Sequence, residues 1–264
     1  MEADVMQYKA VAATGRYLDK TSERFTVIPT TRVLDVLRGE GWLPAKVSQA
    51  RVMSPERDGF QKHMIRLRQR EMIDQPLVPG GLIPEIVITN ANDGTSSFHI
   101  MAGIYRIICG NGLVVADSMF ATHKVLHMGF QEQKVIDAVY DVVETTPKIL
   151  SRVNEYKQIT LTRPEQEVLA ESALTVRYDD EQLKAKKYDV GMLLHPMRRD
   201  DEKPTLWNTY NVLQEKLVSG GKFETNPRNR YRMNKVRGIT SVSENIRINK
   251  GLWMLTERMA EFKQ

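Results

Sequence analysis

The sequence predicts an α+β fold: a helix followed by a mainly antiparallel β-meander and a long helix, with a helical C-terminal part. Three observations predict it. In residues 63–71, "HMIRLRQRE", Ile65 and Leu67 alternate with Arg66, Arg68 and Arg70 at the period of two that a strand imposes. Residues 85–101, "EIVITNANDGTSSFHIM", are two apolar runs around Asn92-Asp93-Gly94, a hairpin pattern in which glycine can take positive φ. The chain after residue 160 is dominated by segments of helical character.

Residues 1–25 are polar and are expected to be loosely held. "IPTTRVLDVLRGEGW" reads as a helix of about three turns, capped by Thr30 or Thr31, with Val33, Leu34 and Leu37 on one face and Gly39 and Gly41 stopping it. "LPAKVSQARVM" is extended, Pro55 to Gly59 turn, and "HMIRLRQREM" is the next strand. A loop rich in Pro and Gly, "DQPLVPGGLIP", leads into the hairpin. "YRIICGNGLVVAD" fits a strand or a buried helix equally, and "FATHKVLHMG" is extended. Gln131 to Thr145 is amphipathic, with Ile136, Val139, Tyr140 and Val143 on one side, and Pro147 is expected to break or kink it.

Thr162 and Glu165 form a capping-box pattern ahead of a helix over 163–176. "TLWNTYNVLQEKLVSGG" is a helix ended by Gly220-Gly221, and "SENIRINKGLWMLTERMAEF" is the last one. The expected organisation is a segment over 1–25, an α+β core over 26–160 and a mainly helical region over 161–264 with a basic loop at 220–238.

The chain has 264 residues, 41% apolar and 27% charged, with net charge +5, the profile of an ordinary globular protein. No apolar run is long enough to span a bilayer, and the acidic start "MEADVMQYKA" has no signal-peptide core, so a cytoplasmic location without membrane association is expected. One cysteine, Cys109, leaves no room for an internal disulfide and reads as a small buried apolar side chain.

Motifs for enzymatic chemistry are lacking. No Walker-type, dinucleotide-binding, zincin or nucleophile-elbow pattern occurs. His123 and His127 stand four apart, a metal-binding spacing on a helix but a poor one on an extended segment. Glu71, Asp74, Glu85 and Asp93 form no recognisable nuclease arrangement and read as solvating charges at turns and strand ends. No enzyme activity, cofactor or metal is expected.

The charge is clustered. Lys62, Arg66, Arg68 and Arg70 come without an intervening acid, and the three arginines would share one face of a strand about 6–7 Å apart. "KFETNPRNRYRMNKVR", 222–237, holds Lys222, Arg228, Arg230, Arg232, Lys235 and Arg237 against Glu224. Such rows match the phosphate spacing of an extended nucleic-acid strand, and arginine both chelates phosphate and stacks on bases. Arg51 is a further candidate contact. Of the aromatic residues, Tyr231 lies between Arg230 and Arg232 and is a candidate contact, with Phe60 a second, while Trp42 reads as core. The competing reading is a solvated, salt-bridged basic face.

At "RFTVIP" (24–29), 63–68, the turn over 90–97, 106–114, His127, "VRY" (176–178) and 239–253, the chain resembles the proteins of unknown function carried by enterobacterial prophages and conjugative plasmids. The order of helix, extended strand, meander and long helix is also similar to the core of ring-forming single-strand annealing recombinases. That second resemblance implies a non-enzymatic protein that binds single-stranded DNA, or RNA, and promotes annealing and recombination as a homo-oligomer, a ring or filament. The alternative expectation is an anti-defence or regulatory protein of a mobile element that binds a host protein. Fold likeness alone does not decide between them.

Overall fold

The computed structural model describes residues 2–73, 81–106, 112–114, 122–128 and 132–264. Cys109, Asp74 and most of the loop 74–81 lie outside the described residues. The chain divides into two units, Met1–Thr146 and Pro147–Gln264. The architecture is α+β, as the sequence predicts.

The first unit begins with the short helix α1 (Lys9–Ala12). The N-terminal segment is packed rather than loosely held: Val5, Ala10 and Val11 are buried, and the amides of Ala3 and Tyr17 donate to the carbonyls of Pro44 and Asn92. Apolar side chains too sparse to make a periodic pattern anchor it. Helix α2 (Thr30–Gly39) buries Val33, Leu34 and Leu37. Pro29 stands at its N-cap. The Thr30 hydroxyl is instead 2.9 Å from His63 Nε2 and accepts from Asn90 Nδ2 at 3.0 Å, which ties the helix start to the sheet.

Strands β1 (Trp42–Gln49) and β2 (His63–Gln69) pair antiparallel, and the short helix α3 (Arg70–Ile73) follows. Strands β3 (Leu82–Asn90) and β4 (Phe98–Arg106) form the expected hairpin, with Gly94 at φ 76° in its turn. The outer edge of β4 is shared by β5 (Gly112–Val114) near Gly103–Tyr105 and β6 (Thr122–Val125) near Phe98–Met101. The sheet therefore runs β1-β2-β3-β4-β5, with β6 also on β4. Ile65, Leu67, Ile86, Ile88, Ile100 and Ala102 share one buried face. The other face is also buried at its centre, at Met64, Arg66, Val87, Thr89 and Met101. Strands covered on both faces carry continuous apolar runs, as in "EIVIT".

Helix α4 runs from Glu132 to Tyr156 with Pro147 inside it, where the sequence suggested a break. The hydroxyls of Thr145 and Thr146 both donate to the Val142 carbonyl, one turn before a residue that brings no N–H. The buried stripe is Val135, Ala138, Val139 and Val142, so the apolar face is rotated from the expected one and Tyr140 is exposed, donating to Glu40.

The second unit takes the end of α4, where Tyr156 meets Trp253 at 5.5 Å, which moves the division of the chain ahead of the expected residue 160. Helix α5 (Arg163–Arg177) starts with the predicted Thr162–Glu165 capping box. Short helices α6 (Asp180–Ala185) and α7 (Val190–Leu193) follow. Helix α8 (Leu206–Gln214) passes into a π-helical turn that ends at Gly220, φ 85°. A side chain there would collide with the Val236 carbonyl oxygen, so glycine is required. The expected basic loop is a hairpin, β7 (Gly221–Asn226) and β8 (Asn229–Val236), and α9 (Val242–Phe262) closes the chain.

Candidate nucleic-acid interface

The first basic group sits on β2. Ile65 and Leu67 face the core as expected, and Arg66 and Arg68 take the opposite face. They do not stand in water. Glu85, buried in mid-strand on β3, accepts from Arg66 Nη1 at 2.6 Å through one oxygen and from Arg68 Nε at 2.8 Å through the other. The Arg68 guanidinium also lies 4.0 Å over the Tyr105 ring. Arg66 is only 3% exposed.

Burial explains the arrangement. A lone carboxylate on a covered strand would be prohibitive, and two guanidiniums satisfy both of its oxygens. Glu85 and Asp93 read as solvating charges in the sequence, but both are buried: Asp93 accepts from Arg57 at 2.6 Å. Arg70 leaves the row altogether. The strand ends at Gln69, and Arg70 opens α3 with an exposed side chain. Lys62 and Arg51 lie at the other end of the β1–β2 pair, where the Ala50 amide donates to the Lys62 carbonyl. Arg51 is exposed and Lys62 half-buried. Trp42 is core as expected, and Phe60 is half-buried, with its ring 6.3 Å from that of Tyr17.

The second basic group is the β7–β8 hairpin. Phe223 is fully buried at a bulge and anchors its base. Glu224, the acid of the stretch, accepts from Lys186 at 2.7 Å and from Asn234 at 3.2 Å, and Lys186 holds its carboxyl below the usual range. That carboxylate is therefore already spent on a lysine outside the hairpin. Arg228, Arg232, Lys235, Arg237 and Lys222 are exposed and form no ion pair among the described residues. Arg230 lies on β8; its side chain is outside the described set.

The register adds a specific feature. Lys222 and Lys235 are direct cross-strand partners, and like charges so placed repel. Tyr231, in the irregular stretch of β8 between Asn229 and Met233, is 84% exposed. Two facing cations and an outward aromatic on a hairpin anchored at its base form a surface ready for an anion with a flat apolar part.

So the predicted residues fall into two groups in separate units. Arg66 and Arg68 converge on Glu85, whereas Arg228, Tyr231, Arg232, Lys235 and Arg237 are presented outward. Sequence reasoning included Lys222 in the charged stretch without naming it as a contact. The Asn-Pro turn in "GGKFETNPRNRYR" signals a hairpin, but a regular register from Asn226 opposite Asn229 would set Lys222 against Met233; the two register shifts bring it opposite Lys235.

Residues 17–253 match the family described as Domain of unknown function (DUF932). The chain belongs to this family. Two relatives of the DUF932 chain from Escherichia coli (strain K12), "UPF0380 protein YfjQ" and "UPF0380 protein YafZ", are each 35% identical to it over 242 residues, 91% of this chain and 84% of theirs. No solved structure matches the chain. Among the described residues, no helix is long and apolar enough to cross a membrane and no cluster of three potential metal-ligating side chains occurs.

Proposed function

We propose that this DUF932 protein binds single-stranded nucleic acid through the β7–β8 hairpin and promotes strand annealing as a homo-oligomer, without nucleotide hydrolysis, in the cytoplasm. The observation that carries the reading is the outward set of Lys222, Arg228, Arg232, Lys235 and Arg237 around exposed Tyr231, with the hairpin's carboxylate engaged by Lys186. Cations that track a backbone, with an aromatic on which a base can stack, are what sequence-tolerant single-strand binding needs. Annealing adds the requirement that the repulsion between two phosphate backbones be screened, which an oligomer carrying many such hairpins supplies.

The test is anisotropy of labelled single-stranded and duplex oligonucleotides at two salt concentrations, with size-exclusion chromatography and an annealing assay alongside. The reading expects salt-sensitive retention of the single strand, elution as a multimer and faster annealing of complementary strands. A monomer indifferent to nucleic acid at micromolar concentration would reject it and favour a regulatory protein that binds a host protein.

A further inference from the structure

A cleft of about 620 Å³ in the first unit has no part in the hairpin reading. Three stretches distant in sequence build it: 20–25, the turn 94–97 after β3, and 124–128 at the end of β6. The assembly is tight. A side chain at Gly94 would meet the Lys20 carbonyl oxygen at 2.9 Å, so the turn lies directly on that backbone. The Thr26 amide donates to the His127 carbonyl at 2.6 Å, and His127 Nδ1 lies 3.1 Å from the Thr26 carbonyl. The Phe25 ring stacks on the His127 imidazole, centroids 4.3 Å apart and planes within 11°. Arg16 donates to the Ser22 and Phe25 carbonyls and holds that wall from behind.

The chemistry of the lining is one-sided. Lys20 and Lys124 are exposed and form no ion pair among the described residues, and no carboxylate is among the lining residues. Ser22 and Ser97 contribute hydroxyls, those of Thr95 and Ser96 donating to Asp93 and to the Ser97 carbonyl, and His99 adds a second imidazole. His127 is 94% buried, being 6% exposed; its Nε2, itself shut off from solvent, makes no hydrogen bond among the described residues, although the Ser96 carbonyl favours the protonated ring. A buried polar atom without a hydrogen bond is an unmet requirement. Beside these groups stand Phe25 and the exposed apolar side chains of Leu126 and Met128.

We propose that this cleft binds a nucleotide, its phosphate between Lys20 and Lys124 beside the His127 ring and the Ser97 hydroxyl, its base against Phe25, Leu126 and Met128. A phosphate monoester fits the cationic, hydroxyl-rich, carboxylate-free end, and a flat ring fits the other. Burial holds the His127 ring below its ordinary pKa, against the Thr26 and Ser96 carbonyls that favour its protonated form. A phosphate dianion bound beside the ring shifts that balance to the imidazolium, with Nδ1–H donating to Thr26. The nucleotide is either free or the 5′-terminal residue of a strand. The site stands whether or not the hairpin binds nucleic acid.

The experiment is calorimetric titration of the full chain with AMP, adenosine and inorganic phosphate, and of oligonucleotides with and without a 5′-phosphate. AMP is expected to bind at least about tenfold tighter than adenosine, and K20Q/K124Q, exposed positions whose fold circular dichroism can verify, to lose about tenfold or more. Nitrogen-detected NMR of the histidine rings is expected to show His127 Nε2 becoming protonated as AMP is added. A 5′-phosphate that strengthens oligonucleotide binding, in a manner lost in K20Q/K124Q, identifies the strand end as the source. AMP binding without that gain identifies the free nucleotide. Absence of both, AMP binding unchanged in K20Q/K124Q, or AMP binding that leaves the His127 ring unmoved would overturn the proposal.

Discussion

Replacing Glu85 with Gln tests whether the strand arginines are structural. The substitution keeps the size of the side chain and removes the charge that Arg66 and Arg68 share. The Glu85 side chain is 0% exposed and those of Arg66 and Arg68 are 4% and 14% exposed, so little solvent screens the loss. Two ion-paired bonds, at 2.6 and 2.8 Å, become at best one bond from a guanidinium to a neutral acceptor, because an amide has a single acceptor oxygen and turns a donor toward the other guanidinium. Removing one partner of a buried ion pair costs about 3–5 kcal/mol, since the remaining charge is left uncompensated. For a chain of this size that corresponds to a Tm lower by on the order of 10 °C.

Urea unfolding followed by tryptophan fluorescence reads the effect. Trp42 lies in the same unit as Glu85, so a background in which Trp207 and Trp253 are replaced by Phe isolates that unit's signal. Replacing Arg66, Glu85 and Arg68 together with Met should recover stability to within about 1 kcal/mol of wild type or better, because no buried charge remains. If Glu85→Gln alone stays within about 1 kcal/mol of wild type, the cluster is solvated. The arginine row would then be free to act as a binding surface.

His63 supplies a pH test: burial lowers its pKa from 6.5 to about 4, against a weaker effect of the Gln61 carbonyl. Between those values the unfolded chain holds a proton that the folded chain lacks, so stability falls as pH drops from 6.5 toward 4, by up to about 3 kcal/mol. His63→Gln should flatten that part of the urea-midpoint profile, and an unaltered slope would place the titrating group elsewhere. On the hairpin, Lys222→Glu puts an opposite charge across from Lys235 and should stabilise the chain by about 0.5 kcal/mol while weakening nucleic-acid binding. Unchanged affinity in a folded, equally stable variant would remove this face from the interface.

Periodicity made much of this fold readable. The alternation in "HMIRLRQ" placed Ile65 and Leu67 in the core, Asp93-Gly94 marked the hairpin turn, and Thr162–Glu165 marked the start of α5. Features set by tertiary contact were not readable. Alternation says that Arg66 and Arg68 share a face but not that Glu85, nineteen and seventeen residues on, lies beneath both. Pro147 is a helix breaker by local rules, yet α4 continues through it. The 222–237 stretch showed its charge in composition alone, whereas the Lys222–Lys235 opposition exists only once a hairpin register is set. The cleft around His127 is further from view, because its walls come from stretches about a hundred residues apart.

The central claim is that the hairpin, not the arginine row, contacts the phosphate backbone. The direct test is the salt dependence of single-strand affinity for wild type and for R228Q/R232Q/K235Q, all exposed positions. Each neutralised phosphate contributes about −0.7 to the slope of log affinity against log salt, so the triple variant should flatten it by roughly two units. The loss should be alike for every base sequence, since backbone contacts carry no code. Wild-type affinity and slope in a folded triple variant would contradict the account.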